Sequence, residues 1–210
     1  MGLRIGPKYK IARRLDDKIF SKTQTTKFAI SAGGDGKNTG GKPGMRRKTV
    51  SEYGRQLIEK QKAKYTYGVN ERQFANHVKA VRLMKNVNVS AEMFKRLENR
   101  LDNVIFRMGL ANSRLFSRQM VSHGHILVNG KKVTIPSYEV KKGDKVSVRV
   151  GSKSKGQFIN LEERLKTYTA PTWLVFDEKT MTGEVKGSPE YGDGESNLNF
   201  TSILEFYSRV

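Results

Sequence analysis

The sequence has no cysteine, one tryptophan and three histidines among its 210 residues. Without cysteine the fold has no disulfide bonds and no thiolate ligands for a metal ion, which is compatible with a reducing compartment. No apolar run approaches the roughly 18 residues of a membrane span, and the start of the chain lacks the apolar stretch of a signal peptide. These absences favour a protein of the cytosol or of an organelle interior.

Acidic side chains are also scarce. The chain carries 40 Lys and Arg against 20 Asp and Glu, a formal net charge of +20, and its sequence pI is about 10.2. Residues 1–48, 49–100, 101–160 and 161–210 have net charges of +10, +6, +8 and −4. Charge spread so widely predicts several surfaces that contact one large polyanion. The acidic final segment predicts a surface that contacts something else.

Glycine and polar residues dominate residues 31–44 and predict a loop. Within this loop, Gly36 to Pro43 reads GKNTGGKP, which nearly matches a phosphate-binding GxxxxGK[ST] sequence. Pro43 replaces the hydroxyl that would bind magnesium, and no buried strand precedes the loop. We therefore interpret the match as accidental.

Two helices are predicted after this loop. The first covers residues 51–65, and either a capping box of Thr49 with Glu52 or the hydroxyl of Ser51 begins it. Asn70 is predicted to cap the second, in which apolar residues recur at helical spacing. Both helices carry lysines or arginines on their polar sides.

A longer helix is predicted next, with Ser90 as its cap and a wide apolar stripe from Phe94 to Met108. Gly109 is a suitable residue for its C-terminal end. Asn112 or Ser113 is predicted to cap a short fourth helix, in which Phe116 and Met120 share the packing side. Its opposite side is predicted to present Arg114 and Arg118, four residues apart.

Strands are predicted in the second half of the chain. Asn129 and Gly130 separate two apolar runs, which is typical of a hairpin with a type I′ turn. Alternating valines at 146–150 predict a further half-buried strand. Short strands are also predicted at Trp173 to Phe176 and at Ile203 to Ser208, and Trp173 is expected in the core.

The fourth helix and the hairpin together predict a basic surface suited to a phosphate backbone and to the exposed bases of structured RNA. Its candidate residues are Arg114, Arg118, His123, His125, Asn129, Lys131 and Lys132. The alternative is an ordinary solvated helix face. A metal pair at His123 and His125 is disfavoured because only His77 remains as a third imidazole. No catalytic constellation is recognisable, and we expect no cofactor.

Several long blocks of sequence resemble one known family. They are Pro43 to Phe74, Arg96 to Val140, PTWL at Pro171 to Leu174, and EFYS at Glu205 to Ser208. Together they are similar to the bacterial-type S-four family of small-subunit ribosomal proteins. The resemblance implies an α+β fold in which a mostly helical domain carries an inserted helix, helix, hairpin module with a small twisted antiparallel sheet.

The resemblance also implies a domain organisation and a function. Residues 1–45 would form a basic, glycine-rich arm, residues 46–92 with 168–210 the helical domain, and residues 93–167 the RNA-binding module. The protein would be a non-enzymatic structural constituent of the small ribosomal subunit, cytoplasmic and ribosome-bound, with an organellar ribosome left open. It would bind the 5′ domain of small-subunit rRNA as a primary binder, nucleate assembly and support translational accuracy.

Residue roles follow from matching positions. The module contacts would be Arg114, Arg118, Gln119, His123, His125, Asn129 and Lys131, and those of the helical domain Lys60, Lys62, Lys64 and Arg72. Arg46, Arg47 and Lys48 fall where the family keeps basic residues near the channel by which messenger RNA enters. A neighbouring S-five-type ribosomal protein would be a partner, with the acidic final segment as part of the contact.

The sequence departs from the family's pattern in its arm. Many relatives hold zinc there with a CxxC motif, whereas Tyr9 and Ala12 occupy the corresponding places here, so no zinc is expected. Residues 28–42 also differ from the usual arm, and the segment of residues 43–51 is shorter than the corresponding segment of many relatives.

Two other function classes compete with the ribosomal one. An RNA-modifying or tRNA-charging enzyme can carry the same module but needs a catalytic domain, and a general polyanion or membrane binder would depend on salt alone.

Overall fold

The computed structural model describes residues 5–26, 28, 50–153, 156–159, 161, 165, 168–177, 180–192 and 197–209. The predicted glycine-rich loop at 31–44 lies outside them. The chain divides into two compact units, residues 1–75 with 198–210 and residues 76–197. The named elements are α1 (Lys8–Leu15), α2 (Glu52–Tyr67), α3 (Glu71–Arg82), α4 (Val89–Glu98), α5 (Leu101–Arg107), α6 (Arg114–Ser122), β1 (Ile126–Val128), β2 (Lys131–Lys132), β3 (Lys145–Val148), α7 (Gly156–Ile159), β4 (Leu174–Asp177), β5 (Thr182–Val185) and α8 (Phe200–Arg209).

The first two predicted helices are confirmed as α2 and α3. Of the two caps considered for α2, the structure has Ser51, whose Oγ accepts a hydrogen bond from the Gly54 amide at 3.2 Å. Asn70 caps α3 as predicted, because its Oδ1 accepts from the Gln73 amide at 2.8 Å. These side chains satisfy amides that the first helical turn leaves without a backbone acceptor.

The single long helix predicted from Ser90 to Met108 is wrong, because the structure has α4 and α5 with a break at Asn99 and Arg100. After the break, the amides of Leu101 and Asp102 donate to the carbonyls of Tyr138 and Pro136, at 2.8 and 3.1 Å. A continuous helix would direct both amides to carbonyls four residues back. The apolar stripe continues across the break, so its period does not reveal acceptors supplied by a distant loop.

The predicted cap of α4 is wrong, whereas the cap of α6 is one of the two predicted candidates. Asn88, and not Ser90, caps α4, since its Oδ1 accepts from the amides of Ser90 and Ala91 at 3.1 and 3.3 Å. For α6 the structure has the second of the two predicted candidates, and the Ser113 Oγ accepts from the Phe116 amide at 3.3 Å. Asparagine and serine are both favoured at such positions, so neighbouring candidates cannot be separated by residue type.

The five strands form one antiparallel sheet in the order β2-β1-β3-β5-β4. The predicted hairpin is confirmed, with Val128 opposite Lys131 and with positive φ at Asn129 (50°) and Gly130 (77°). Two consecutive positive φ values are what a type I′ turn requires. The strand predicted at 146–150 is confirmed only as far as Val148, because Val150 begins a 3-10 turn and is 80% exposed.

The strand predicted at Trp173 to Phe176 is confirmed as β4, and Trp173 is buried as expected. The strand predicted at Ile203 to Ser208 is wrong, since these residues belong to α8. Phe200, Ile203 and Phe206 are buried at spacings of three residues, which place them on one helix face. The short apolar run was too brief to distinguish the two periods.

The predicted α+β class is confirmed. The domain boundaries that the resemblance implies stay a prediction. In the structure β5 pairs with β3, so residues 182–185 belong to the same sheet as the hairpin. In residues 76–197 the core lies between the helices and one face of the sheet. Its largest fully buried side chains are Met93, Phe94, Leu97, Leu101, Ile105, Met108, Leu110, Met120, Ile126 and Phe158.

In the other unit, α8 packs against α2, and α1 contacts α2. The Tyr53 and Phe206 rings lie 5.3 Å apart, and the Gln56 Nε2 donates to Glu205 Oε2 at 3.0 Å. At the position where a zinc ligand was considered, the Tyr9 ring stacks on Phe28 with centroids 5.3 Å apart. The apolar and aromatic contacts thus hold α1 by packing.

Candidate nucleic-acid interface

The turn that joins α6 to β1 determines the shape of the candidate surface. Gly124 has φ of +71°, and the following amide of His125 donates to the Met120 carbonyl at 3.1 Å. A left-handed glycine here ends the helix and turns the chain directly into the hairpin. A Cβ atom added to Gly124 would collide with the Lys132 side chain, so Lys132 of the hairpin lies across the end of α6.

The structure exposes five of the predicted module residues along this junction. They are Gln119, His123, Asn129, Lys131 and Lys132. Asn129 also has a structural role, because its Nδ2 donates to Asp144 Oδ1 at 2.8 Å and its Oδ1 accepts from the Lys145 amide at 2.9 Å. The exposed side chains of this junction offer two ammonium groups, an imidazole and two amides, a set suited to phosphate and base edges.

His125 does not share this exposure, contrary to what its place in the predicted surface implies. The residue is 8% exposed, and its Nδ1 lies 2.9 Å from the Ser152 Oγ. Its ring centroid lies 6.3 Å from that of Phe158 in an edge-to-face arrangement. A buried polar ring with a hydrogen-bond partner stabilises the fold, and the sequence pattern HGH does not distinguish which of its two histidines points inward.

Arg114 and Arg118 also differ from the expectation that they project from an open helix face. Their side chains are 18% and 16% exposed. The Arg114 Nε donates to Asn103 Oδ1 at 2.6 Å, and the Arg118 Nη1 donates to Asp102 Oδ2 at 3.2 Å. The two guanidinium groups therefore lie against the end of α4 and the start of α5, and only part of each meets solvent.

Two buried acidic side chains contact these arginines and two others. Glu98 and Asp102 are buried, and four guanidinium groups lie within 4 Å of their carboxylates. The arginines are Arg100, Arg107, Arg114 and Arg118. Each buried carboxylate is thus compensated by two arginines among the described contacts.

His77 adds no charge to this region at neutral pH. Burial, with the neighbouring charges of Arg100 and Arg96, lowers the pKa of His77 to about 4. The imidazole is therefore neutral, as a buried histidine beside cations must be. Among the residues that the structure describes, no group of three or more His, Asp or Glu side chains is placed to hold a metal ion.

The predicted contacts of the helical unit have intramolecular partners. Lys60 is 6% exposed and its Nζ lies 2.8 Å from Glu71 Oε1. The Lys64 Nζ lies 3.0 Å from Glu71 Oε2, and that of Lys62 lies 2.9 Å from Glu59. These three lysines are therefore paired with carboxylates of their own unit and are buried or half-buried, while their contact with RNA stays a prediction. Arg72 alone of the set is exposed.

Glu71 is the centre of that cluster. Burial opposes its ionisation, but hydrogen bonds from Lys60, Tyr207 and Lys64 outweigh this effect and lower the pKa of Glu71 to about 2. Burial and the hydrogen bond to the Glu71 carboxylate raise the pKa of Tyr207. The ionised carboxylate and the neutral phenol thus stabilise one another.

Some exposed basic residues were missed by the sequence reasoning. Arg149 is exposed, and its amide donates to the His125 carbonyl at 2.8 Å, which places it next to the end of α6. Its alternation with Val146 and Val148 was the signal that could have identified it. Further exposed basic residues outside the predicted set include Arg55, Lys79, Lys85, Lys141, Lys142 and Lys145. Arg46, Arg47 and Lys48 lie outside the described residues.

Among the described residues no helix is long and apolar enough to cross a bilayer.

Comparison with known proteins identifies the family. A family model described as an S4 domain matches residues 99–146, and one described as the ribosomal protein S4/S9 N-terminal domain matches residues 4–98. The small ribosomal subunit protein uS4 of Roseiflexus castenholzii is 43% identical over 209 residues, 98% of each chain. The uS4 proteins of Chromobacterium violaceum and Oenococcus oeni are 41% and 42% identical over 206 residues, covering 98% of this chain and 98% and 97% of theirs. The resemblance read from the sequence is confirmed, and the chain belongs to the uS4 family of small-subunit ribosomal proteins.

Proposed function

We propose that the chain is a structural, RNA-binding constituent of the small ribosomal subunit. It binds the 5′ domain of small-subunit rRNA early, nucleates assembly there and supports the accuracy of translation. It acts in the cytoplasm as part of the ribosome and has no catalytic role of its own. Membership of a family of ribosomal proteins supports this proposal, and so does the net charge of +20.

The observation that carries the proposal is the junction of α6 with the hairpin. Lys132 lies across Gly124 there, so the exposed groups of the hairpin adjoin the exposed end of α6. The groups sit on a helix end and a type I′ hairpin, both fixed by backbone hydrogen bonds. Preorganised cations contact a folded RNA with a smaller loss of side-chain entropy.

The proposed RNA contacts differ in how much of each side chain meets solvent. Exposed Gln119, His123, Lys131 and Lys132 contact phosphate or base edges directly, with Arg72 as the exposed contact of the helical unit. Arg114 and Arg118 contribute through the part of each guanidinium that meets solvent. The remaining proposed contacts are Arg46, Arg47 and Lys48 for messenger RNA, and Lys60, Lys62, Lys64, His125 and Asn129, whose observed partners make their contribution mainly structural.

A neighbouring ribosomal protein of the S-five type is the proposed protein partner. The final segment, with a net charge of −4 over residues 161–210, suits a basic ribosomal protein better than a polyanion. In the described part of that segment, the exposed acidic residues include Asp177, Glu190 and Glu205. Charge reversal at such positions would weaken the association of the two proteins without changing RNA binding.

The test is RNA binding across a salt series. The full chain is titrated with a transcript of a bacterial small-subunit 5′ domain and with a scrambled RNA of the same length. Tight binding that depends on the RNA fold and survives near-physiological salt supports the proposal. Equal, salt-sensitive binding to both RNAs contradicts it and reduces the chain to a general polyanion binder.

A further inference from the structure

Two buried acidic residues hold the arginines of α6 from below. The Asp102 carboxylate accepts two hydrogen bonds from the buried Arg100 guanidinium, at 3.1 and 2.7 Å, and one from Arg118 at 3.2 Å. Asp102 is 3% exposed. Because Arg100 occupies both of its oxygens, the carboxylate is held rigidly, and the remaining bond fixes where the Arg118 guanidinium can lie.

A second chain of contacts holds Arg114. The Glu98 carboxylate accepts from Arg107 at 2.8 and 3.0 Å and from the Asn103 Nδ2 at 2.7 Å. That last bond turns the Asn103 side chain so that its Oδ1 accepts from the Arg114 Nε at 2.6 Å. The Arg114 Cζ also lies 4.5 Å from the centroid of the Phe106 ring. Arg114 is thus fixed on two sides.

We propose that Asp102 and Asn103 are positioning residues for RNA binding, which hold the Arg118 and Arg114 guanidinium groups in the arrangement that the RNA backbone requires. The inference rests on the proposed function and deepens it. Arg114 and Arg118 are four residues apart on α6, so their side chains emerge about 6 Å apart on one side. Asp102 and Asn103 are adjacent in α5, and each holds one of the two arginines of α6.

Arg118 retains donors for a ligand after it binds Asp102. A guanidinium has five N–H groups, and within the described part of the chain Arg118 uses one of them, from Nη1. Its side chain is still 16% exposed. The group can therefore bind a phosphate oxygen while Asp102 holds it, and the rotamer entropy of a long side chain is already lost before RNA arrives.

The direction in which RNA affinity changes when the Asp102 charge is removed shows whether Asp102 positions Arg118 or only adds negative charge. Asp102 is a negative charge within hydrogen-bond distance of the surface proposed to bind a polyanion. If only the summed charge mattered, removing that charge would strengthen RNA binding. If Asp102 positions Arg118, removing its charge should weaken RNA binding. Without this hydrogen bond the Arg118 side chain loses more rotamer entropy when RNA binds.

The experiment compares Asp102→Asn with the wild-type chain on the transcribed 5′-domain RNA and the scrambled RNA. We expect Asp102→Asn to weaken binding to the folded RNA about tenfold and to leave binding to the scrambled RNA unchanged or tighter. Glu139→Gln is the matched control, since it removes one exposed carboxylate from the same unit. It should bind both RNAs as well as the wild-type chain or better.

Two further variants keep the proposal falsifiable if Asp102→Asn does not fold, because Arg100 would lose its partner. The double variant Arg100→Gln with Asp102→Asn removes the buried charges together and should show the same loss. Arg118→Lys keeps the charge and leaves the pair of Asp102 with Arg100 in place. It should also weaken binding to the folded RNA, because a lysine lacks the fork that Asp102 orients.

The outcomes separate the inference from the proposed function. If the wild-type chain binds both RNAs equally, the proposed function fails and the inference with it. If the wild-type chain prefers the folded RNA but the Asp102 variants bind it equally or more tightly, the proposed function stands and the inference is overturned. Additivity of Asp102→Asn with Arg118→Ala in a double-mutant cycle would also overturn it, since Asp102 must act through Arg118.

Discussion

The Lys60 ammonium lies 2.8 Å from the Glu71 carboxylate, so a lysine of α2 is bound to the first turn of α3. The same ammonium is 4.7 Å from the centroid of the Phe206 ring. Lys60 therefore links three helices of one unit and is almost fully buried. Its charge forms contacts within this unit, whereas the family resemblance implied a contact with RNA.

Replacing Lys60 by methionine should destabilise the fold without changing the salt dependence of RNA binding. Methionine fills a similar volume, so the loss reflects the ion pair and the cation–π contact, about 1 to 2 kcal/mol in the free energy of unfolding. Denaturant unfolding measures this loss. Arg72→Ala is the matched control, because Arg72 is exposed on the same part of the unit. It should leave stability unchanged and lower the salt slope by about one, and the reverse pattern would contradict both assignments.

The ionisation of Glu71 should make the free energy of unfolding depend on pH. The pKa of Glu71 is about 2 in the folded chain, below the ordinary glutamate value of 4.5. A depressed pKa contributes stability that is present above about pH 4.5 and is lost as the pH falls towards 2. Glu71→Gln should therefore be less stable than the wild-type chain at pH 7, and this difference should shrink between pH 4.5 and pH 2. Unfolding midpoints at pH 7, 4.5 and 3 measure it, and a pH-independent difference would show that Glu71 ionisation does not matter.

The sequence predicted turns and helix caps well where the residue at one position determines the local backbone conformation. Asn129 with Gly130 required a type I′ turn, and Asn70 supplied the cap of α3, whereas Ser51 was one of two caps that the sequence left open for α2. The break between α4 and α5 was not predictable in this way. It depends on carbonyls of residues 136 and 138, which lie more than thirty positions further along the chain.

The sequence showed which basic residues lie near the candidate site, but it did not show which of their side chains are exposed. Lys131, Lys132 and His123 are exposed as the hairpin and helix patterns implied. Arg118 and Lys60 were predicted to contact RNA, but in the structure each forms an ion pair with a carboxylate of the same unit, Asp102 and Glu71 respectively. A single sequence shows where charge lies along the chain, whereas the pairing of Arg118 with Asp102 depends on tertiary packing.

Gly124→Ala and Gly130→Ala should separate backbone strain from the placement of Lys132. Both glycines have positive φ, +71° and +77°, so each alanine should cost about 1 kcal/mol in unfolding free energy. Nothing lies within 4 Å of a Cβ at Gly130, whereas at Gly124 it would displace the Lys132 side chain. We expect similar losses of stability from both variants and weaker RNA binding from Gly124→Ala alone. Equal RNA affinity in the two variants would show that the position of Lys132 is not important.

The two histidines of the HGH sequence should give opposite results when each is replaced by alanine. His125 is buried, bonded to Ser152 and packed against Phe158, so His125→Ala should lower the free energy of unfolding by about 2 kcal/mol through the cavity and the unpaired hydroxyl. His123 is exposed, so His123→Ala should leave unfolding unchanged and weaken binding to the folded RNA. Thermal unfolding and RNA titration of both variants measure the two effects. If His123→Ala destabilised the chain as much as His125→Ala, the outward orientation of His123 would be contradicted, and its proposed contact with RNA would lose its structural basis.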